Sequence, residues 1–422
     1  MFEHMPPALL MTPGRVCILL RYKILSPVEK KQSLNVLLPV FLSFYVMGFV
    51  DLVGVATAFV KDDFGLSDTV AQLLPTMVFL WFALISIPTG IFQDRKGKKF
   101  TVMLGMAITG LGVILPFIHY SYLTAVLGFM VLGIGNTILQ VSANPLLLDV
   151  SPKKSQAANL SLSQFVKAIA SMLGPVITAA LATYTGNWKL IFPIYAAISL
   201  ISIFWLYSVR VREREPEKEP ATFGSVLALF RIPFVTVMIL STFLLVGFDV
   251  GMNSNIAIYL QKRFLIPVES ASLGISIYFF SLVIGRFLGG VLLRTISTSR
   301  FMVASIILTF IGLAGIILSK NLALTRVMIF VAGLGFSNTF PIVFAIIIDR
   351  LPRYANELSS LIILSVAGGA VIPPLMGLIS DTLGVTASLF MLVICMLYVS
   401  FATWYAIRTK PAAMNENQSP DA

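Results

Sequence analysis

Twelve apolar windows follow one another along this chain, beginning near Leu34, Thr69, Thr101, Leu123, Ala157, Lys189, Phe234, Glu269, Phe301, Leu324, Glu357 and Val385. Each is about 20 residues long, enough for a helix to cross a hydrocarbon core of roughly 30 Å. Lipid offers no partner to a peptide amide, so such a window must satisfy its own backbone as a helix. Composition points the same way: 57% of the residues are hydrophobic and 12% charged, where a soluble domain carries about 25% charged residues. The expected fold is an all-α membrane protein with twelve transmembrane helices.

The formal net charge of +11 would suit a nucleic-acid binder in a soluble chain, but its distribution has a simpler cause. Basic residues gather before the first span, after the last, and in the alternate loops after spans 2, 4, 6, 8 and 10. Lys61, Lys189, Lys262, Arg263, Lys320 and Arg326 fall on the other side. Lys and Arg in short loops mark the cytoplasmic side. Both termini are expected there, in a multi-pass protein of the cell inner membrane whose surroundings are lipid and not nucleic acid. Cys17 and Cys395 are far apart and His4 and His119 are the two histidines, so no disulfide framework, metal site or cofactor is expected.

Two carboxylates interrupt the apolar pattern. Asp51 closes Gly48-Phe49-Val50-Asp51 in an otherwise uncharged run from Leu34 to Val60, and Asp249 closes Gly247-Phe248-Asp249 in a run from Phe234 to Leu260. An aspartate at mid-helix costs about 2.5 to 3.5 kcal/mol on insertion scales, which makes both residues functional candidates, here for proton coupling. They also mark a repeat. Gly133, Gly135, Asp149 and Pro152 are answered by Gly333, Gly335, Asp349 and Pro352, as two six-helix bundles related by a pseudo-twofold along the membrane normal would require. The mixed-charge run from Arg210 to Pro220 reads as a solvated linker. The expected organisation is a cytoplasmic arm at 1–33, a bundle at 34–208, a linker at 209–223, a second bundle at 224–408 and a cytoplasmic tail at 409–422.

Span 4 carries Asn136, Gln140 and Asn144 at intervals of four, one polar stripe that cannot face lipid. Span 5 carries Asn159, Ser163, Lys167 and Ser171, with Gln164 beside them. Amides and hydroxyls on facing helices suit a ligand rich in hydroxyl groups, since an amide both donates and accepts; packing between helices uses them as well. The substrate-binding candidates are Asn136, Gln140, Asn144, Gln164 and Lys167, with Asn253 and Asn338 in the second half.

Span 2 ends in Gly90-Ile91-Phe92-Gln93-Asp94-Arg95-Lys96-Gly97-Lys98-Lys99. This resembles the signature loop between helices 2 and 3 of the major facilitator superfamily, and the general likeness runs over about residues 34 to 408. The resemblance implies the two-bundle transporter fold. It also implies that Gly90 permits close helix packing and that Asp94, Arg95 and Gly97 belong to a cytoplasmic conformational gate. Further patches resemble the fucose:proton symporter family of sugar transporters: Gln140-Val141-Ser142-Ala143-Asn144-Pro145, Val246 to Asp249, Ile284 to Gly289 with Leu292-Leu293-Arg294, Phe340 to Ala345, and Gly368 to Pro373. The chain departs from that family in carrying Gln140 where helix 4 has an acid and Lys167 where helix 5 has a neutral residue. Asp51 then remains as the expected proton carrier.

The expected function is import of a hexose-type monosaccharide by proton symport with alternating access, in a chain that is a monomer and not an enzyme. Alternatives are transport of an acidic sugar such as a uronate or sialic acid, proton-coupled drug export, and a non-transporting sugar sensor. No nucleotide-binding loop or nucleophile and base pair argues for ATP drive or catalysis. Lys167 bears on the choice between sugars. Paired with Asp51, the preferred reading, it leaves room for a neutral hexose; unpaired and facing the cavity, it would bind a carboxylate.

Overall fold

A computed structural model describes residues 34–152, 156–213, 223–293 and 295–409. The expected arm at 1–33, most of the charged linker, Arg294 and nearly all of the tail lie outside the described residues. Within them, twelve helices are long and apolar enough to cross a membrane: α1 (Asn35–Phe64), α2 (Asp68–Lys96), α3 (Lys98–Ile118), α4 (Tyr122–Val150), α5 (Gln156–Thr185), α6 (Trp188–Ser208), α7 (Pro233–Phe264), α8 (Val268–Leu292), α9 (Thr298–Leu318), α10 (Leu322–Arg350), α11 (Glu357–Leu383) and α12 (Val385–Arg408). No strand occurs among the described residues. An even number of crossings brings the two ends of the described chain to one face, called here the terminal face, and leaves the distal face opposite.

Short turns end the helices by ordinary means. Gly65 closes α1 in the left-handed region, at φ 60°, where a side chain would be strained. The Ser67 hydroxyl then accepts from the Val70 amide at 3.3 Å and caps α2, as its place in the turn predicts.

The sequence repeat is a repeat of packing. A Cβ on Gly135 would lie 2.4 Å from the Thr109 nitrogen, and one on Gly335 would lie 2.5 Å from the Thr309 nitrogen. Likewise a Cβ on Gly112 would meet the Leu132 nitrogen and one on Gly312 the Ala332 nitrogen, both at 2.4 Å. Each contact recurs 200 residues on, so α3 with α4 and α9 with α10 are two copies of one close-packed pair. Lipid supplies no hydrophobic drive between helices, and small residues that let backbones meet replace it.

The hydrogen bonds between the halves gather on one side. Among the described residues, the hydrogen bonds that join them run from mid-membrane to the distal face. Near the middle, Asn253 Nδ2 donates to the Asp51 carbonyl at 3.1 Å and Thr76 to the Ala370 carbonyl at 3.0 Å. Nearer the distal face, Ser276 donates to the Met172 carbonyl at 3.2 Å and Gln261 to Asp62 at 2.9 Å. At the face itself, the Asp381 carboxylate at the end of α11 accepts from the amides of Asp68 and Thr69 at 2.9 and 2.8 Å and from the Thr69 hydroxyl at 2.7 Å. It thereby caps the exposed N-H groups that begin α2. The fully buried Asp68 carboxylate is compensated by Lys262 at 2.6 Å, Lys61 at 3.5 Å and the Ser380 hydroxyl.

The terminal face differs. Lys98 pairs with Asp149 at 2.6 Å, Glu213 accepts from the Lys98 and Lys99 amides at 2.6 and 2.9 Å, and Lys99 donates to the Val209 carbonyl at 2.7 Å. All of these stay within the first half and the segment that follows it. Asp94 and Arg95 are exposed, without a partner among the described residues. Gly90, expected to permit close packing, has nothing within 4 Å of its would-be Cβ. Its close approach is not made in this conformation, because no helix of the other half reaches it. Gly97 is needed for a different reason, a φ of 90° at the turn into α3. Among the described residues the hydrogen bonds between the halves close the distal face, and on that ground the terminal face is taken as the open one, with the cleft between the halves facing it.

Replacing Asp381 with Asn should loosen this seal. The amide keeps an acceptor but loses the charge that favours a helix N-terminus, and at an exposed site the loss should be about 1 kcal/mol, roughly a fivefold shift toward the opposite conformation. Labelling of single cysteines from each side of the membrane measures it, with Gly377→Leu as a stronger perturbation because a Cβ at Gly377 already falls 2.8 Å from the Asp68 carbonyl oxygen.

Candidate functional site

The site begins with a fault in α1. Its helix runs from Leu34 to Met47, tightens to a 3-10 turn over Gly48–Asp51, and resumes at Leu52. Gly48 makes the fault possible by bringing the turn onto α5, since a Cβ there would lie 2.7 Å from both the Lys167 carbonyl oxygen and the Ala170 Cβ. Short 3-10 stretches inside a helix often mark functional hinges. The Met47 carbonyl accepts instead from Asn136 Nδ2 at 2.9 Å, while the Asn136 oxygen accepts from Gln140 Nε2 at 2.8 Å. Asn136 is wholly buried. Two members of the α4 stripe are thus engaged in holding the fault that carries Asp51.

Asp51 and Asp249 each take a hydroxyl. Ser171 of α5 donates to Asp51 at 2.5 Å, and Tyr278 of α8 donates to Asp249 at 2.6 Å. The symmetry ends there, because α7 is one unbroken helix from Pro233 to Phe264. In the second half the fault lies in α10, between Phe336 and Thr339. There Asn338 Nδ2 donates to the Gly285 carbonyl at 2.7 Å, and Gly285 and Gly289 are bare where Ser337 and Asn338 press against α8. The Ile284 to Gly289 patch owes its glycines to this contact. Asn253, also expected to contact substrate, instead spans the two halves to the Asp51 carbonyl, with Gly54 giving it room.

Four charged side chains therefore share the interior of the bundle: Asp51 on α1, Lys167 on α5, Asp249 on α7 and Arg286 on α8. All are part-buried and lie within mutual electrostatic reach. No ion pair joins Lys167 to Asp51 among the described residues. The Ser171 hydroxyl, one turn beyond Lys167 on the same face, reaches that carboxylate instead. Neither the Lys167 ammonium nor the Arg286 guanidinium has a hydrogen-bond or ion-pair partner among the described residues. Asn144 and Gln164, nearer the terminal face, are part-buried, and their amides are likewise without partners among the described residues. Of the expected substrate-binding residues, Gln164, Lys167 and Asn144 have no side-chain partner among the described residues, whereas the side-chain amides of Asn136, Gln140, Asn253 and Asn338 donate to other groups of the protein.

Three residues had no role assigned from the sequence. Arg286 carries the same signal as Lys167, an isolated charge within a span. Tyr278 is one of many span tyrosines, and only proximity to Asp249 distinguishes it. Asp381 had a faint signal, since Gly377-x-x-x-Asp381 repeats the spacing of Gly90-x-x-x-Asp94. If Asn136 holds the fault, Asn136→Ala should lower the stability of the ligand-free protein by about 1 kcal/mol, the scale of hydrogen bonds between membrane helices. Thermal unfolding in detergent without substrate measures this, and an unchanged midpoint would return Asn136 to a ligand-contact role.

Comparison with known proteins agrees with this architecture. Over 383 residues, 85% of this chain and 91% of the relative, the sequence is 25% identical to the glucose/galactose transporter of Brucella abortus biovar 1 (strain 9-941). It is 21% identical to the L-fucose-proton symporter of Escherichia coli (strain K12), across 77% of this chain and 82% of that one. Among solved structures, the inward-facing, unoccupied form of a bacterial homologue of the human lysosomal transporter Spinster superimposes with a TM-score of 0.72, at 18% identity over 91% of this chain and all of that one, which shows a common fold. The model of the Major Facilitator Superfamily matches at residues 39–252 and again at 239–422, once for each six-helix half. The chain is thus a multi-pass membrane transporter, not an enzyme, and belongs to the Major Facilitator Superfamily.

Proposed function

We propose that this chain imports a hexose-type monosaccharide together with a proton, through the inner membrane and with its terminal face in the cytoplasm. The units that rock against each other are the bundles at 34–208 and 224–408, joined by the linker at 209–223, in a protein that works as a monomer. The observation that carries this reading is the carboxylate of Asp51. It sits at a helix fault in mid-membrane, held by a hydroxyl and adjoining a cleft whose walls offer the amides of Asn144 and Gln164. The names of the relatives, a glucose/galactose transporter and an L-fucose-proton symporter, support a sugar as cargo and a proton as partner.

In this reading a proton enters with the sugar while the distal face is open, and both leave at the terminal face once the distal seal has formed. Asp94 and Arg95, undocked here, close the terminal face in the opposite state, where Gly90 has a helix to pack against. The two seals alternate because both cannot be satisfied by one arrangement of the halves.

Asp51→Asn separates coupling from binding. The variant should fail to accumulate sugar down a pH gradient while retaining exchange of sugar across proteoliposomes at equal pH. Full accumulation by the variant refutes Asp51 as proton carrier, and loss of exchange as well makes it a binding or structural residue.

A further inference from the structure

We infer that Lys167 and Arg286 together form a carboxylate-binding site, so that the cargo is an acidic sugar carried with one proton. The inference rests on the reading above that the chain imports a sugar with a proton, and departs from it in the class of sugar, acidic in place of a neutral hexose.

An ammonium and a guanidinium inside a membrane protein are costly and must be compensated. Each of the two carboxylates at hand takes a hydroxyl rather than a cation as its hydrogen-bond donor, Asp51 from Ser171 at 2.5 Å and Asp249 from Tyr278 at 2.6 Å. Both cations remain without hydrogen-bond or ion-pair partners among the described residues, although they act on both carboxylates through space. Their placement favours a shared ligand. Helices α5 and α8, one from each half, cross where Ser276 donates to the Met172 carbonyl at 3.2 Å. The helices run in opposite senses, so Lys167 lies five residues and Arg286 ten residues from the crossing, both toward the open face. At the helical rise these are about 7.5 and about 15 Å. One cation from each half thus lies toward the closed end of the cleft, below its seal. A carboxylate held between them would be bound by charge-assisted hydrogen bonds, with the guanidinium able to present two parallel N-H groups. Asn144 and Gln164 remain for hydroxyl groups on the ring.

Charge balance then sets the stoichiometry. Asp51, Asp249, Lys167 and Arg286 sum to zero when the site is empty. A carboxylate makes the sum −1, and one proton bound at Asp51 restores zero, the state that a low-dielectric interior favours. The other ionisable groups facing Asp51 are Tyr195 on α6 and Tyr278 on α8, which are phenols. Proton and anion therefore enter together, the proton passing from the distal solution to the Asp51 carboxylate and leaving at the terminal face with the sugar. Transport should be electroneutral, whereas a neutral hexose moving with a proton would carry one positive charge.

The test uses the full-length protein in proteoliposomes. D-glucuronate, D-galacturonate and N-acetylneuraminate are compared with D-glucose, D-galactose and L-fucose as competitors and as cargo, at imposed membrane potentials of either sign. The expected result is at least tenfold tighter binding of an acidic sugar than of its neutral counterpart, with uptake that follows the pH gradient and ignores the potential. Lys167→Gln and Arg286→Gln should each weaken acidic-sugar binding by about 10- to 100-fold, and Lys167→Arg should restore most of it. Glucose bound as tightly as glucuronate, or uptake that follows the potential, overturns the inference while leaving sugar transport standing. These two readings need no variant, so a poorly folding substitution does not blunt them. Binding of neither class overturns the sugar-transport reading and this inference with it.

Discussion

A charge inside a bilayer must be paired, hydrated or neutralised, and much of this molecule follows from that requirement. Asp51, Lys167, Asp249 and Arg286 come from four helices and both halves, and none could be tolerated singly at its depth. Assembled, they sum to zero. Their compensation is nevertheless indirect, because hydroxyls of Ser171 and Tyr278 hold the carboxylates and leave the part-buried cations without a direct partner among the described residues. An arrangement satisfied only in sum responds to an added proton or anion, whereas two tight ion pairs would not.

The fault in α1 extends the same logic to the backbone. Tightening at Gly48–Asp51 alters the carbonyl pairing of an intramembrane helix, and the Asn136 amide answers it by donating to Met47. That commitment ties α4 to α1, and the Asn253 amide ties α7 to the Asp51 carbonyl. Movement of either half must therefore disturb the residue at the fault. The distal seal works on a larger scale, with Asp381 capping α2 across the interface and the buried Asp68 drawing Lys262 and Ser380 toward it. At the terminal face Asp94 and Arg95 stand exposed, and the contrast between the two ends of the molecule defines its conformation.

Much of this was readable from residues alone. Window length and the absence of charge fix a helix in lipid, because no other backbone arrangement short of a closed barrel satisfies its amides there. The 200-residue recurrence of glycines was legible because close helix contacts depend on the lack of a Cβ, a property written directly in the sequence. What misled was equivalence between residue types. Asn136 and Asn144 sit on one stripe two helical turns apart, and only one of them has a carbonyl to serve. Asp51 and Asp249 sit in matching runs, yet the helix breaks at the first and continues through the second.

The sequence by itself determined the twelve spans, their division into two related halves and the existence of isolated charges within spans, since each follows from the local cost of placing a group in lipid. Only the tertiary structure decided which polar groups are engaged in hydrogen bonds between helices and which have no partner among the described residues. It also decided that Ser171 rather than Lys167 contacts Asp51, that Gly90 is undocked, and that Asp381 seals the distal face. These depend on distances between helices remote in the chain, and a hydrogen bond that holds only within about 3.5 Å cannot be inferred from spacing along one helix.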